Sequence, residues 1–254
     1  DNNISLLGKW LPSVNASNPQ TIRNAKKIAK AFGMNDAKYR KALSTLRAQI
    51  HILENYLREK DYSFDYETQP SRAMFKYRKA FMRNDKERFA SFLSAVASGT
   101  AKLHADLVSP YELVEPYLST NWAWNQKSFL REMTADEKAT LNATWQSLPD
   151  FGGNENAIAV IDTSGSMYCD AKPIPAAVAL SLGLYFAERN QGTFQNHFIT
   201  FSTRPKLIEL KGNTFVDKLR YITTYNEISD TNLEAVFDLI LNVAIKNKLS
   251  QKEM

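Results

Sequence analysis

At 254 residues with 44% apolar content, the chain can bury the core of one large domain or two ordinary ones. Its single cysteine, Cys169, excludes an intrachain disulfide and suits a reducing, cytoplasmic compartment. No apolar run reaches the roughly 20 residues of a membrane span, so no membrane association is expected. The formal charge of +5 is unevenly spread: 19 Lys/Arg against 9 Asp/Glu in residues 1–105, then 13 against 18 in 106–254. That split predicts a basic module joined to an acidic one.

Residues 1–150 read as a basic α-helical module. Pro19 followed by Thr21–Phe32 sets Ile22, Ala25, Ile28, Ala29 and Phe32 on one helix face, and Gly33 ends the run. Asp36 can cap one longer helix, in which Tyr39, Leu43, Leu46, Ile50, Leu53 and Leu57 form a single apolar stripe. Asp61–Pro70 is a connector rich in aromatic and acidic residues. Ser71 opens another helix that Asn84-Asp85 interrupts, and a further run ends at Gly99. Pro110 begins a short helix, YELVEPYL, and Thr134 with Glu137 forms a capping box for a helix reaching Leu148. Pro149 and Gly152-Gly153 mark a linker.

Beyond the linker, residues 151–254 alternate strand and helix. Strands are expected at Ala157–Ile161, His197–Ser202 and Lys206–Leu210, and helices at Pro173–Asn190, Thr214–Thr223 and Leu233–Asn247. This alternation is the mark of a doubly wound α/β domain, so the fold class is α + α/β.

The stretch AIAVIDTSGSMYCD, residues 157–170, carries the most chemistry. Its uninterrupted apolar run suits a strand buried on both faces, and the turn after it gathers Asp162, Ser164 and Ser166 at the strand's carboxyl end, where open α/β sheets bind ligands. Oxygen ligands suit hard cations such as Mg²⁺. Two hydroxyls and one carboxylate leave such an ion electron-poor and attractive to an incoming carboxylate or phosphate. A polar strand-to-helix turn of some other doubly wound domain is the alternative.

The spacing Asp-x-Ser-x-Ser after a hydrophobic strand resembles the metal-ion-dependent adhesion site of von Willebrand A-like domains. The resemblance implies that Asp162 holds the ion through water, while Ser164 and Ser166 ligate it directly. It also implies that Thr231, on a loop before a helix, approaches the same ion, which would be Mg²⁺ or, in its place, Mn²⁺ or Ca²⁺. Thr231 with Glu234 also makes a Thr-x-x-Glu capping box, which needs no metal. More widely, LGKWLPS, PSRAMFKYRKAF, AVIDTSGSM, FITFS and TNLEAVFDLIL resemble an uncharacterised family that pairs a helical N-terminal region with an A-like domain. That family is distantly similar to the TROVE proteins of the Ro type, in which helical repeats bind RNA and an A-like domain closes their ring. The A-like pattern has six strands in the order 3-2-1-4-5-6. Only three are legible here, and the strand expected next would end in an aspartate that completes the ion's shell. A partial domain is therefore expected, with strand one as an edge, weak cation affinity, and a sheet completed by another chain or a C-terminal segment.

Two basic stripes bear on RNA. Arg72, Lys76, Lys79 and Arg83 recur at steps of four, three and four residues, and Arg23, Lys27 and Lys30 share a face of the first long helix. Such stripes suit phosphate backbones, although a solvated helix face is the plainer reading. His51, His104 and His197 lack metal-ligand spacing, and neither a nucleophile–base pair nor a phosphate-cradling glycine loop can be read, so a non-enzyme is expected. The leading expectation is ion-dependent binding of a protein partner's acidic group. A Ro-like RNA-binding protein is the second reading, and a structural component of a larger assembly with a vestigial metal site is the third.

Overall fold

The computed structural model describes residues 6–119, 129–152, 157–227 and 230–250. The chain divides into two compact units, residues 1–65 and 66–254.

The first unit is helical. It holds α1 (Leu7–Trp10), α2 (Pro19–Ala31), α3 (Asp36–Ala48) and α4 (Leu53–Glu59). Proline opens α2, and the Asn18 carboxamide accepts from the amides of Gln20 and Thr21. Asn35 rather than Asp36 caps α3, accepting from the Lys38 amide at 2.9 Å. The expected single helix from Asp36 to Leu57 is broken between α3 and α4. There the Asn55 carboxamide donates to the carbonyls of Arg47 and Ile50, which replaces helix bonds across the gap. A small core of Val14, Ala25, Ala29, Tyr39 and Leu43 joins α2 and α3. Arg47 closes it over α1, donating to the carbonyls of Gly8 and Leu11 at 3.0 and 2.6 Å.

The second unit is mixed α/β. Its helices are α5 (Ser71–Asn84), α6 (Lys86–Ala97), α7 (Ala135–Gln146), α8 (Pro175–Arg189), α9 (Phe215–Thr223) and α10 (Leu233–Lys246). The break between α5 and α6 falls at Asp85, and Gly99 takes a φ of 75° just beyond α6. The Pro110 segment forms two 3-10 turns, 110–113 and 115–117, because Pro116 cannot continue a helix. Thr134 and Glu137 make a complete capping box at α7. Gly153, part of the expected linker, lies outside the described residues.

The sheet has the order β1 (Ala159–Asp162), β2 (His197–Phe201), β3 (Leu207–Glu209). β1 runs parallel to β2, with Asp162 opposite Phe201, and β3 pairs antiparallel to β2. Side chains alternate across the sheet, so Ile161 and Phe198 face one way while Val160 and Ile199 face the other. Ile161 and Phe198 belong to one large core with Leu180 and Leu184 of α8, Leu219 and Ile222 of α9, and Trp145 of α7. The described residues from Ala105 to Tyr117 and from Leu130 to Leu148 therefore contribute to the same core as the α/β elements. β1 departs from the expectation of a strand buried on both faces. Among the described residues it pairs only with β2, and Val160 is 42% exposed. No described helix is long and apolar enough to cross a membrane.

Candidate functional site

β1 delivers Asp162 to the rim of the sheet, and the next four residues turn back on it. Asp162 Oδ1 accepts from the Ser164 amide at 2.8 Å, an Asx-type turn that orients the carboxylate. Residues 165–168 then form a 3-10 turn, with the Ser164 and Ser166 hydroxyls 3.3 Å apart. Tyr168 anchors the end of this turn. Its ring is buried, its hydroxyl accepts from the Asn226 carboxamide, and burial raises the phenol's pKa despite that bond.

A second loop meets the first. Thr203 follows β2, and its hydroxyl donates to the Asp230 carbonyl at 3.0 Å. This bond ties the β2–β3 turn to the segment entering α10. Together Asp162, Ser164, Gly165, Ser166, Thr203, Asp230 and Thr231 line one open concavity of about 680 Å³. All four expected ligands, Asp162, Ser164, Ser166 and Thr231, thus border a common space. Thr231 is not the helix cap: Asn232 holds that position, accepting from the Ala235 amide at 3.0 Å, and the alternative Thr231–Glu234 box does not form. The hydroxyl of Thr231 is therefore not committed to capping α10.

The donor set consists of carboxylate and hydroxyl oxygens, which suits a hard divalent cation. Among the described residues no three of His, Cys, Asp and Glu come together as a metal cluster, so any ion here would rest largely on hydroxyls. Ser202, next to Thr203, is 1% exposed and does not border this concavity, and its hydroxyl has no hydrogen-bond partner among the described residues. Cys169 is exposed beside this turn, and His197 bonds through Nδ1 to the Gln195 carbonyl at 2.7 Å.

The basic stripes present a different picture. Arg72, Lys76, Lys79 and Arg83 are all exposed along α5, opposite the buried Met74 and Phe81. Arg72, however, is held by both carboxylate oxygens of Glu112, at 2.8 and 2.7 Å, and by the Leu107 carbonyl. Lys76 lies 4.8 Å over the Tyr77 ring, and the charge of Lys79 helps lower the pKa of Glu137. In the other unit, Arg23, Lys27 and Lys30 are exposed on α2. Sequence reasoning missed Arg78, whose guanidinium packs 3.8 Å from the Phe75 ring centre and whose pKa is lowered by burial. Nothing local separates it from the exposed cations around it. Thr203 and Asp230 were also missed. The one available signal was that Asp230 immediately precedes Thr231.

Comparison with known proteins adds the following. Residues 156–254 match the model described as "Domain of unknown function (DUF7788)", and residues 17–150 match "Domain of unknown function (DUF2828)". The chain is similar to "Uncharacterized protein L728" of Acanthamoeba polyphaga mimivirus, 29% identical over 270 residues that cover 99% of this chain and 44% of the relative. It therefore spans less than half the length of that relative. No solved structure matches. Because the DUF2828 match, residues 17–150, takes in more than half of its residues, the chain belongs to the DUF2828 family.

Proposed function

We propose that this protein is an ion-dependent binding module whose second unit engages an acidic group of a protein partner through a divalent cation of the Mg²⁺ type. The observation that carries the reading is the shared concavity bordered by Asp162, Ser164, Ser166 and Thr231. The order β1-β2-β3, with β3 antiparallel at the outside, is consistent with one half of a von Willebrand A-like sheet. In this reading Asp162, Ser164, Ser166 and Thr231 would hold the ion with their carboxylate and hydroxyl oxygens. The ion supplies Lewis acidity toward an incoming carboxylate. The chain's own part is to orient its oxygens, through the Asp162–Ser164 turn and the Tyr168–Asn226 anchor. No bond-making step is needed, so the reading is of a non-enzyme.

The edge at β1 and the apolar ridge Leu233, Phe237, Leu241 and Ile245 of α10, each at least 49% exposed, support a further strand and helix packing there in the assembled state. Ro-like RNA binding is a weaker reading, since Arg72 is already neutralised by Glu112. Its support is the exposed row Arg23, Lys27 and Lys30.

A peptide-display selection on the immobilised protein tests the proposal. Peptides recovered in Mg²⁺ should be enriched in Asp and Glu, and binding should vanish with chelator and in Asp162→Ala. Binding that survives both treatments would contradict it.

A further inference from the structure

We infer that Asp230 supplies a second carboxylate to this ion site, an inference that rests on the cation reading above. Asp162 is the only carboxylate in the set of oxygens that the sequence pattern marks out. A divalent cation held by one carboxylate and neutral hydroxyls keeps a net positive charge, and each added carboxylate raises affinity for a hard cation. Asp230 borders the same concavity as Asp162, Ser164, Ser166 and Thr231, and it is the other acidic residue there.

Its placement is fixed by bonding. The Thr203 hydroxyl grips the Asp230 carbonyl at 3.0 Å, and Thr203 itself borders the concavity. On the other side, the Asn232 cap locks the start of α10 two residues later. These bonds hold the backbone at Asp230 between a strand turn and a helix cap.

A consequence for the partner follows. With Asp162 and Asp230 both serving a divalent ion, the site is neutral overall. An acidic group from a partner must then displace Asp230 or share the ion with it. Asp230 becomes an internal competitor, which favours retention of the ion over indiscriminate capture of anions.

The test is Mn²⁺ binding by the full chain, read from the electron paramagnetic resonance signal of the free ion. It compares wild type, Asp162→Asn, Asp230→Asn and, as a charge-matched control, Asp238→Asn on the exposed side of α10. Circular dichroism melts confirm that each variant is folded, and Asp230→Ser replaces Asp230→Asn should the latter not fold. The expected result is loss of binding in Asp162→Asn, about tenfold weaker binding in Asp230→Asn, and no change in Asp238→Asn. A weakening of less than threefold in Asp230→Asn, or equal weakening in Asp238→Asn, overturns the role of Asp230 while leaving the ion site standing. Absence of Mn²⁺ binding in the wild type overturns both.

Discussion

Replacing Gly183 with alanine would put a methyl group where α8 rests on β1. The new carbon would stand 2.3 Å from Cδ1 and 2.4 Å from Cγ1 of Ile161, well inside contact distance. Ile161 is 3% exposed and has nowhere to retreat within the core. In an exposed helix the same change would stabilise by about 1 kcal/mol, because glycine is a poor helix former. Here overpacking costs about 3 kcal/mol, the upper end of the usual range given so close an approach. The net loss should be about 2 kcal/mol, or about 4–8 °C in the melting temperature of a unit this size. Urea and thermal melts read it directly. A second substitution isolates the cause. Ile161→Ala removes both clashing atoms and leaves the nearest approach, Cβ, at 3.7 Å. Alone it should cost about 2–5 kcal/mol through the cavity it opens. Added to it, Gly183→Ala should stabilise by about 1 kcal/mol, because the new methyl enters that cavity and only the helix-propensity gain remains. A coupling of about 3 kcal/mol across the double-mutant cycle is expected. If Gly183→Ala melts at or above the wild-type temperature, or if the two changes simply add, the packing argument is refuted.

The remaining predictions follow from other parts of the structure. The carboxyl of Glu137 is lowered from its ordinary 4.5 to about 2, first by its hydrogen bond to Arg131, against the opposing effect of burial, and then by the Thr134 amide. Since its folded pKa is depressed, Glu137 stabilises fully above about pH 4.5, and that stability is lost as pH falls toward about 2. Because Arg131 is 42% exposed, solvent screening limits the effect to about 1–2 kcal/mol. Glu137→Gln should flatten the acid limb of the pH–stability curve, and an unchanged limb would contradict this account. If the protein self-associates through β1, Val160→Lys should reduce the association measured by light scattering; persistent association would exonerate that strand. If RNA binds, Gln at Lys76, Lys79 and Arg83 should flatten its salt dependence by about 0.7–0.9 in log–log slope for each phosphate no longer neutralised. An unaltered slope would clear α5 of that role.

The parts of this fold that sequence could reveal are those governed by neighbouring residues. The Thr134–Glu137 box, the interruption at Asn84-Asp85 and the helix ends at Gly33 and Gly99 all depend on a few adjacent side chains. The break between α3 and α4 was hidden because the apolar stripe continues through Ile50, Leu53 and Leu57. What breaks the helix is a side chain, Asn55, bonding to carbonyls behind it. Thr231 and Asn232 are both good caps, and only backbone geometry decides that Asn232 takes the role. The core joining Leu113, Tyr117, Leu130 and Leu141 to α8 and α9 depends on long-range packing, which periodicity cannot report. At the site, Asp162, Ser164 and Ser166 were legible because strand and turn place them within five residues. Thr203 and Asp230 enter through two separate loops, and their convergence is a property of the fold.

The central claim is that the oxygens of Asp162, Ser164, Ser166 and Thr231 hold a divalent cation. Crystals grown with Mn²⁺, measured near its absorption edge, test this most directly. A single anomalous peak is expected in the concavity these residues border, about 2.1 Å from the hydroxyls of Ser164 and Ser166 and one water removed from Asp162. A fully substituted crystal with no peak in that concavity, or with its peak on other residues, would contradict the claim.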